Sequence, residues 1–391
     1  MTTPKILIVD DEPFNVDYLE QELEELDCET ITAVNGQEAL DKVYHEMPDL
    51  VLLDIMMPIM DGFEVLSKLK ADPDTRDIPI IVISASNELQ SVVKGIRLGA
   101  EDYLPKPFEP TLLHARISSS LDKKRLRDIE QLYLQSLQRE LDIGRDIQMS
   151  FLPSELPKVD GWEIAAYFKA AREVAGDFYD AFLLPDGNLT CVVGDVCDKG
   201  VSAALFMTLF RSLIRATSTT DIFSSRRDQE SLTHVERLHH VITFTNHYIA
   251  KIHDTANMFA TVFIGIFDLQ NGSLAYINCG NEPALILREG EVVTELRPTG
   301  PVVGVIKDAQ FSVKEMRINK DDMLLAFTDG LPDTKNEDDE FFRTEYLFAA
   351  LSDQKGSPST LLENLEAQML QFSGETNQYD DVTLIAVKRV V

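Results

Sequence analysis

The sequence predicts two successive folds, a doubly wound α/β domain and then an α+β domain of layered sheets and helices. Three observations carry this. Short, wholly apolar strands alternate with helix-period segments up to about residue 118. A Pro-free polar stretch bearing one apolar stripe fills about residues 119–150. From about 151 to 391, many strands are interrupted by paired helical segments. A chain of 391 residues is long enough for two or three cores.

The first domain opens with Lys5-Ile-Leu-Ile-Val-Asp-Asp, an apolar strand of the kind buried on both faces of a parallel sheet. Further strands are read at Glu29–Val34, Leu50–Asp54, Ile78–Ser84 and Asp102–Pro105. Between them lie amphipathic segments such as Val16, Leu19, Leu23 and Leu26. Doubly wound sheets bind ligands at the carboxyl ends of their strands. Those ends carry Asp10, Asp11, Asp54, Ser84 and Lys106.

Joined by Met56-Met57-Pro58, Asp61-Gly62, Ser84-Ala85 and Lys106-Pro107-Phe108, this set resembles a two-component receiver domain over residues 1–118. The resemblance implies a flavodoxin-like parallel sheet of order 2-1-3-4-5. It implies that Asp54 accepts a phosphoryl group as nucleophile. Asp10, Asp11, Asp54 and Met56 would hold Mg²⁺, and Lys106 would pair with a phosphoryl oxygen. Ser84 and Tyr103 would be the switch residues, and Lys106–Pro107 is a candidate cis bond. The implied partner is a sensor histidine kinase or a phosphotransfer protein.

In the connector, Leu126, Ile129, Tyr133, Leu137 and Leu141 fall three or four apart on one helical stripe. A lone helix of this kind must bury its stripe. It either pairs with its twin as a parallel dimeric coiled coil, which the pattern favours, or folds back on its own domains. Pro153 stops the helix.

In the second domain the stretch Val174–Gly200 sets the pattern. Asp177 and Asp195 each follow a glycine, where a strand is expected to end. Asp329 closes the apolar run from Met323, and Asp380 opens Asp-Asp-Val-Thr. Four such carboxylates, without partner histidines or cysteines, suit hard divalent cations. Further strands are read at Trp162–Phe168, Met258–Asp268, Ser273–Asn278, Ala284–Leu287, Glu291–Leu296, Phe311–Ile318, Met323–Thr328 and Val382–Val390. Helices are read at Val201–Arg215, Leu232–Ile252, Tyr346–Leu351 and Leu361–Gln371, with a loop over 217–231.

Val174–Asp180, Gly194–Gly200, Thr328–Leu331 and Asp380–Thr383, in that order, resemble the metal-dependent PPM-type serine/threonine phosphatases of the SpoIIE/RsbU branch. Asn278-Cys-Gly-Asn, Gly300-Pro-Val-Val-Gly-Val and the entry Asp146-Ile-Gln-Met-Ser-Phe-Leu-Pro fit the same branch. The resemblance implies an α-β-β-α sandwich over 151–391 with Mn²⁺ or Mg²⁺, two ions, between its sheets. Asp195 would bridge them, the Val196 carbonyl would ligate one, and Asp329 and Asp380 would complete the other's shell. Asp177 would support a water or a further metal. These side chains are expected to converge.

The substrate implied is a phosphorylated STAS-type anti-sigma-factor antagonist. Lys199 stands where many members carry histidine, and Asn281 cannot transfer a proton, so an acid role falls away. Cys197 has no pair of basic neighbours that would make it a nucleophile and reads as a buried structural cysteine. The alternative function is a pseudophosphatase that sequesters a partner when its receiver is phosphorylated.

Charge bounds the partners. With 36 basic and 66 acidic residues, net −30, the chain is unsuited to nucleic acid or anionic membrane. Four scattered cysteines and the lack of a signal peptide or apolar span lead to the expectation of a reduced, cytoplasmic protein.

Overall fold

The computed structural model describes residues 3–85, 89–220, 232–352, 356–376 and 378–391. These form two compact units, Met1–Gln138 and Arg139–Val391.

The first unit alternates strand and helix in chain order. The strands are β1 (Lys5–Val9), β2 (Glu29–Ala33), β3 (Leu50–Asp54), β4 (Ile80–Ala85) and β5 (Asp102–Lys106). Between them lie α1 (Pro13–Glu24), α2 (Gly36–Glu46), α3 (Gly62–Ala71) and α4 (Leu89–Arg97), and α5 (Pro110–Phe151) follows β5. The sheet is parallel, of order β2-β1-β3-β4-β5. Apolar residues pack on both of its faces, as continuous strand hydrophobicity requires. Asn35 and Asp61 cap α2 and α3 by accepting from the Glu38 and Glu64 amides. The Asp61-Gly62 pair has a steric reason as well. A Cβ at Gly62 would collide with the Asp54 carbonyl, so this glycine lets α3 start against the end of β3.

Helix α5 begins in this unit, where Leu113 and Ile117 are buried. Further along it, Leu126, Ile129, Tyr133 and Leu137 are exposed in the single chain and Leu141 is half-buried.

Among its described residues the second unit adds ten strands and four α-helices. They run β6 (Trp162–Lys169), β7 (Phe178–Leu183), β8 (Leu189–Val196), α6 (Val201–Thr219), α7 (His234–Ile252), β9 (Ala260–Phe267), β10 (Ser273–Cys279), β11 (Ala284–Arg288), β12 (Glu291–Leu296), β13 (Lys314–Arg317), β14 (Met323–Phe327), α8 (Thr344–Leu351), α9 (Pro358–Ser373) and β15 (Val382–Arg389). One antiparallel sheet has the order β13-β10-β9-β8-β7 and the other β12-β11-β14-β15-β6. Phe263, Ile286, Ala326 and Ile385 are among the residues filling the space between the sheets. Helices α6 and α7 cover the first sheet, and α8 and α9 the second. This is an α-β-β-α sandwich.

Three expectations need correction. Helix α6 continues to Thr219 instead of giving way to a loop at 217. The Thr217 and Thr219 hydroxyls donate back to the Leu213 and Arg215 carbonyls, which satisfies these polar residues inside the helix. The rest of that expected loop, 221–231, lies outside the described residues. The strand read at Phe311–Ile318 shortens to β13, an edge strand. Cys197 is half-buried, and the Phe259 amide donates to its sulfur at 3.2 Å.

Candidate functional site

The receiver residues meet at the carboxyl edge of the parallel sheet. Asp10 and Asp54 are buried and Asp11 is exposed, and their carboxylate oxygens lie within 4.8 Å of one another. This arrangement is consistent with a Mg²⁺ site. Lys106 reaches both buried acids, 2.9 Å from Asp10 and 3.1 Å from Asp54. The Glu12 amide and the Asn15 side chain also donate to Asp10. Burial pushes the Asp54 carboxyl up to about 6; Lys106 opposes the shift and Asp10 adds to it. Ser84 is buried at the end of β4, beside β5. Tyr103 is half-buried, and the Arg116 guanidinium of α5 lies 5.1 Å from its ring centre. The Met56 side chain is exposed, and Lys106–Pro107 is cis.

The second site is built by antiparallel pairing. Phe178 pairs with Gly194, so Asp177, just before β7, meets Asp195 near the end of β8. Asp177 thus opens a strand instead of closing one; two antiparallel strands bring a start and an end to the same edge. In the other sheet Phe327 pairs with Leu384, and the Thr328 amide donates to the Thr383 carbonyl. Asp329 and Asp380 therefore flank one end of β14 and β15.

Each acid is held differently. Asp177 is buried and accepts from the Thr328 and Thr383 hydroxyls at 2.7 and 2.6 Å. Burial raises its carboxyl well above the usual range, and Asp195 and Asp381 add to the rise. Burial pushes Asp195 up to about 7, with Asp329 and Asp380 adding to the shift while a hydrogen bond with Asp177 opposes it. Asp329 stands at the exposed rim. The protein around it, and then Asp380, push its carboxyl up to about 6. Asp380 is half-buried and paired with Lys199 at 2.9 Å.

The sequence-predicted acids thus share one electrostatic field. They do not close into a tight group: among the described residues, no three acids of this unit bring oxygens within 4.8 Å of one another. The donor set still fits hard divalent cations. It is made of carboxylates, those of Asp177, Asp195 and Asp329 disfavoured as charges by burial and then by neighbouring acids, with the Val196 carbonyl beside them. That carbonyl lies against Gly176, where a Cβ would come within 2.8 Å of it.

Sequence reasoning assigned no role to several residues that build this site. Asp381 accepts from the Ala171 and Gly176 amides, both at 2.7 Å, and so anchors the segment leading to Asp177. Its signal was the Asp-Asp doublet before β15. Gln148, near the end of α5, bonds both backbone groups of Ala175. Asp180 is no part of the site; it is buried against Arg211 and Arg215 of α6 at 3.0 and 2.9 Å.

Known proteins agree with both halves. Residues 6–118 match the response regulator receiver domain, and residues 185–390 match the family described as stage II sporulation protein E (SpoIIE). The molecule is thus a receiver domain fused to a PPM-type phosphatase domain of the SpoIIE/RsbU class. By this match over more than half its length, the chain belongs to the SpoIIE family.

Protein IcfG of Synechocystis sp. is 39% identical over 262 residues, covering 64% of this chain and 41% of that protein. The alkaline phosphatase synthesis transcriptional regulatory protein PhoP of Bacillus subtilis is 41% identical over 122 residues, 31% of this chain and 50% of its own. The chain therefore spans half or less of the length of these two curated relatives. The SiaA-PP2C domain of Pseudomonas aeruginosa aligns with a TM-score of 0.53 at 20% identity, covering 66% of this chain and 98% of that one, and supports the fold.

Proposed function

We propose that the chain is a metal-dependent phosphoprotein phosphatase controlled by phosphorylation of its receiver at Asp54. What supports this is the placement of Asp177, Asp195, Asp329 and Asp380 at neighbouring strand ends of two sheets, with Asp195 bonded to Asp177 and in the field of Asp329 and Asp380. Burying carboxylates near one another is costly unless a cation balances them. Asp195, Asp329, Asp380 and the Val196 carbonyl would hold Mn²⁺ or Mg²⁺, with Asp177 behind Asp195. When bound, the ions offset the charge of a phosphate ester and make water acidic enough to attack it. The chain's own part is placement: Thr328 and Thr383 fix Asp177, and Asp381 fixes the Ala171–Gly176 segment. The substrate class is a phosphoserine or phosphothreonine on a STAS-type anti-sigma-factor antagonist, as the resemblance to the branch suggests.

In the receiver, Asp54 takes a phosphoryl group from a histidine kinase or phosphotransfer protein, with Mg²⁺ on Asp10, Asp11, Asp54 and the Met56 position. Lys106, Ser84 and Tyr103 respond to it. The Arg116 guanidinium of α5 beside the Tyr103 ring supports this role for Tyr103. The exposed stripe on α5 pairs with a second copy. The test is phosphate release from a phospho-STAS protein with Mn²⁺ or Mg²⁺, with and without beryllofluoride on the receiver. Asp195→Ala should abolish release; no release with either metal, or a fully active variant, would refute the reading.

A pseudophosphatase that sequesters a partner is the second reading. It draws on the loose spacing of the acids and on the ion pair that occupies Asp380. An Asp329→Asn chain that keeps its signalling output would favour it.

A further inference from the structure

Lys199 follows Asp195-Val196-Cys197-Asp198 on the turn into α6. Asp198 is left-handed, with φ of 73°, and its carboxylate accepts from the Lys199 amide at 2.8 Å and the Ser202 hydroxyl at 3.3 Å. The base of the side chain is therefore fixed. Its ammonium lies 2.9 Å from Asp380, donates to the Tyr379 carbonyl at 2.8 Å, and stands 4.4 Å from the centre of the Tyr379 ring. Across the site are Asp195 and Asp329, both within the field of Asp380.

We propose that Lys199 is the resident cation of the acidic centre, and that a divalent metal enters by displacing its ammonium from Asp380. This rests on the metal-site reading above. The geometry favours exchange over permanent pairing. The two side chains are 31% and 30% exposed, so solvent screens the ion pair and holds it weakly. A divalent ion brings twice the charge to the same carboxylate and can use Asp195 or Asp329 at once, which one ammonium cannot. The freed lysine keeps its carbonyl and ring contacts on Tyr379, one residue from Asp380. Metal loading thus begins from a neutralised acid, and apparent metal affinity is lower than the carboxylates alone would give.

The test is calorimetric titration of Mn²⁺ into the full chain, in an Asp11→Asn background that weakens the receiver's own site. Lys199→Gln should lower the dissociation constant of the second-unit site by roughly 2- to 5-fold, the scale of a partly exposed ion pair. Lys199→Arg, which keeps the charge, should stay within about twofold of wild type on the same scale. An unchanged or weaker affinity in Lys199→Gln overturns the proposal. So does an Arg variant that tightens as much as the Gln variant, because charge would then not be the cause. Asp195→Asn separates the two readings. It should lose the site, and if it bound Mn²⁺ like wild type the metal-site reading itself would fall, whatever Lys199 does.

Discussion

Gln148 and Ala175 exchange two hydrogen bonds. The side-chain amide donates to the Ala175 carbonyl at 2.7 Å, and its oxygen accepts from the Ala175 amide at 2.9 Å. One side chain on α5 thus does what a neighbouring strand would do, two residues before Asp177. Gln148 is buried, so neither backbone group has water as a substitute.

Gln148→Leu should therefore leave both groups of Ala175 unpaired, at a cost of roughly 2–4 kcal/mol to the second unit. Phosphate release should drop by about tenfold or more, because a small displacement of a positioned acid is expensive. Receiver phosphorylation should be unchanged. Parallel assays of phosphate release and of Asp54 labelling check this; equal loss in both would point to general misfolding.

Without metal, the stability of the second unit should fall as pH rises from about 4 to about 7. Asp195 and Asp329 have folded-state values raised to about 7 and about 6, above their unfolded values. The folded state binds more protons in this window, so raising the pH favours unfolding. Asp195→Asn should remove much of this slope and raise the melting temperature of the metal-free chain at pH 7.5. Melting curves across pH, with chelator and then with Mn²⁺, measure it. Added Mn²⁺ should restore stability to wild type at neutral pH and not to the variant.

In the receiver, Asp54→Asn should abolish labelling by a small phosphoryl donor. Lys106→Ala should reduce it strongly, since Asp10 and Asp54 would face each other without their shared cation. The donor reaction should also require an ionised Asp54. In the absence of Mg²⁺, labelling should rise with pH through about 6. Timed labelling across pH, with and without Mg²⁺, checks both points.

The stripe on α5 predicts self-association. Leu126→Glu with Tyr133→Glu should shift a dimer to monomer in light scattering, while helix content stays nearly constant, because both side chains are exposed in the single chain. A wild-type chain that is monomeric at micromolar concentration would remove the dimer.

Most of the architecture was readable in the sequence because its signals are local. Uninterrupted apolar strands such as Leu50–Asp54 mark a sheet covered on both faces, and that sheet is present with its acids at the edge. Asp177, Asp195 and Asp329 could be singled out because each adjoins a glycine near a strand terminus, and Asp380 because it precedes β15. Three things were not readable. Asp381 looks identical to Asp380 in a doublet, and only the fold shows it turned onto two backbone amides. Gln148 lies 27 residues from Ala175 and its bond is a tertiary contact with no periodicity. Lys199 could be seen to replace a histidine, but its pairing with Asp380 across 181 positions depends on how two sheets meet.

Gly176 carries a last consequence. Its missing side chain allows the chain to pass beside the Val196 carbonyl, and its amide is bound by Asp381. An alanine there would press its methyl group onto the Val196 carbonyl and against Asp195, and so displace them without supplying or removing any polar group. A saturation screen would score position 176 as severely as Asp195, and a reader of that screen would miscount it among the chemical groups. Loss of function at this glycine measures clearance between strands, and the tolerance of neighbouring positions to bulk is the proper yardstick for it.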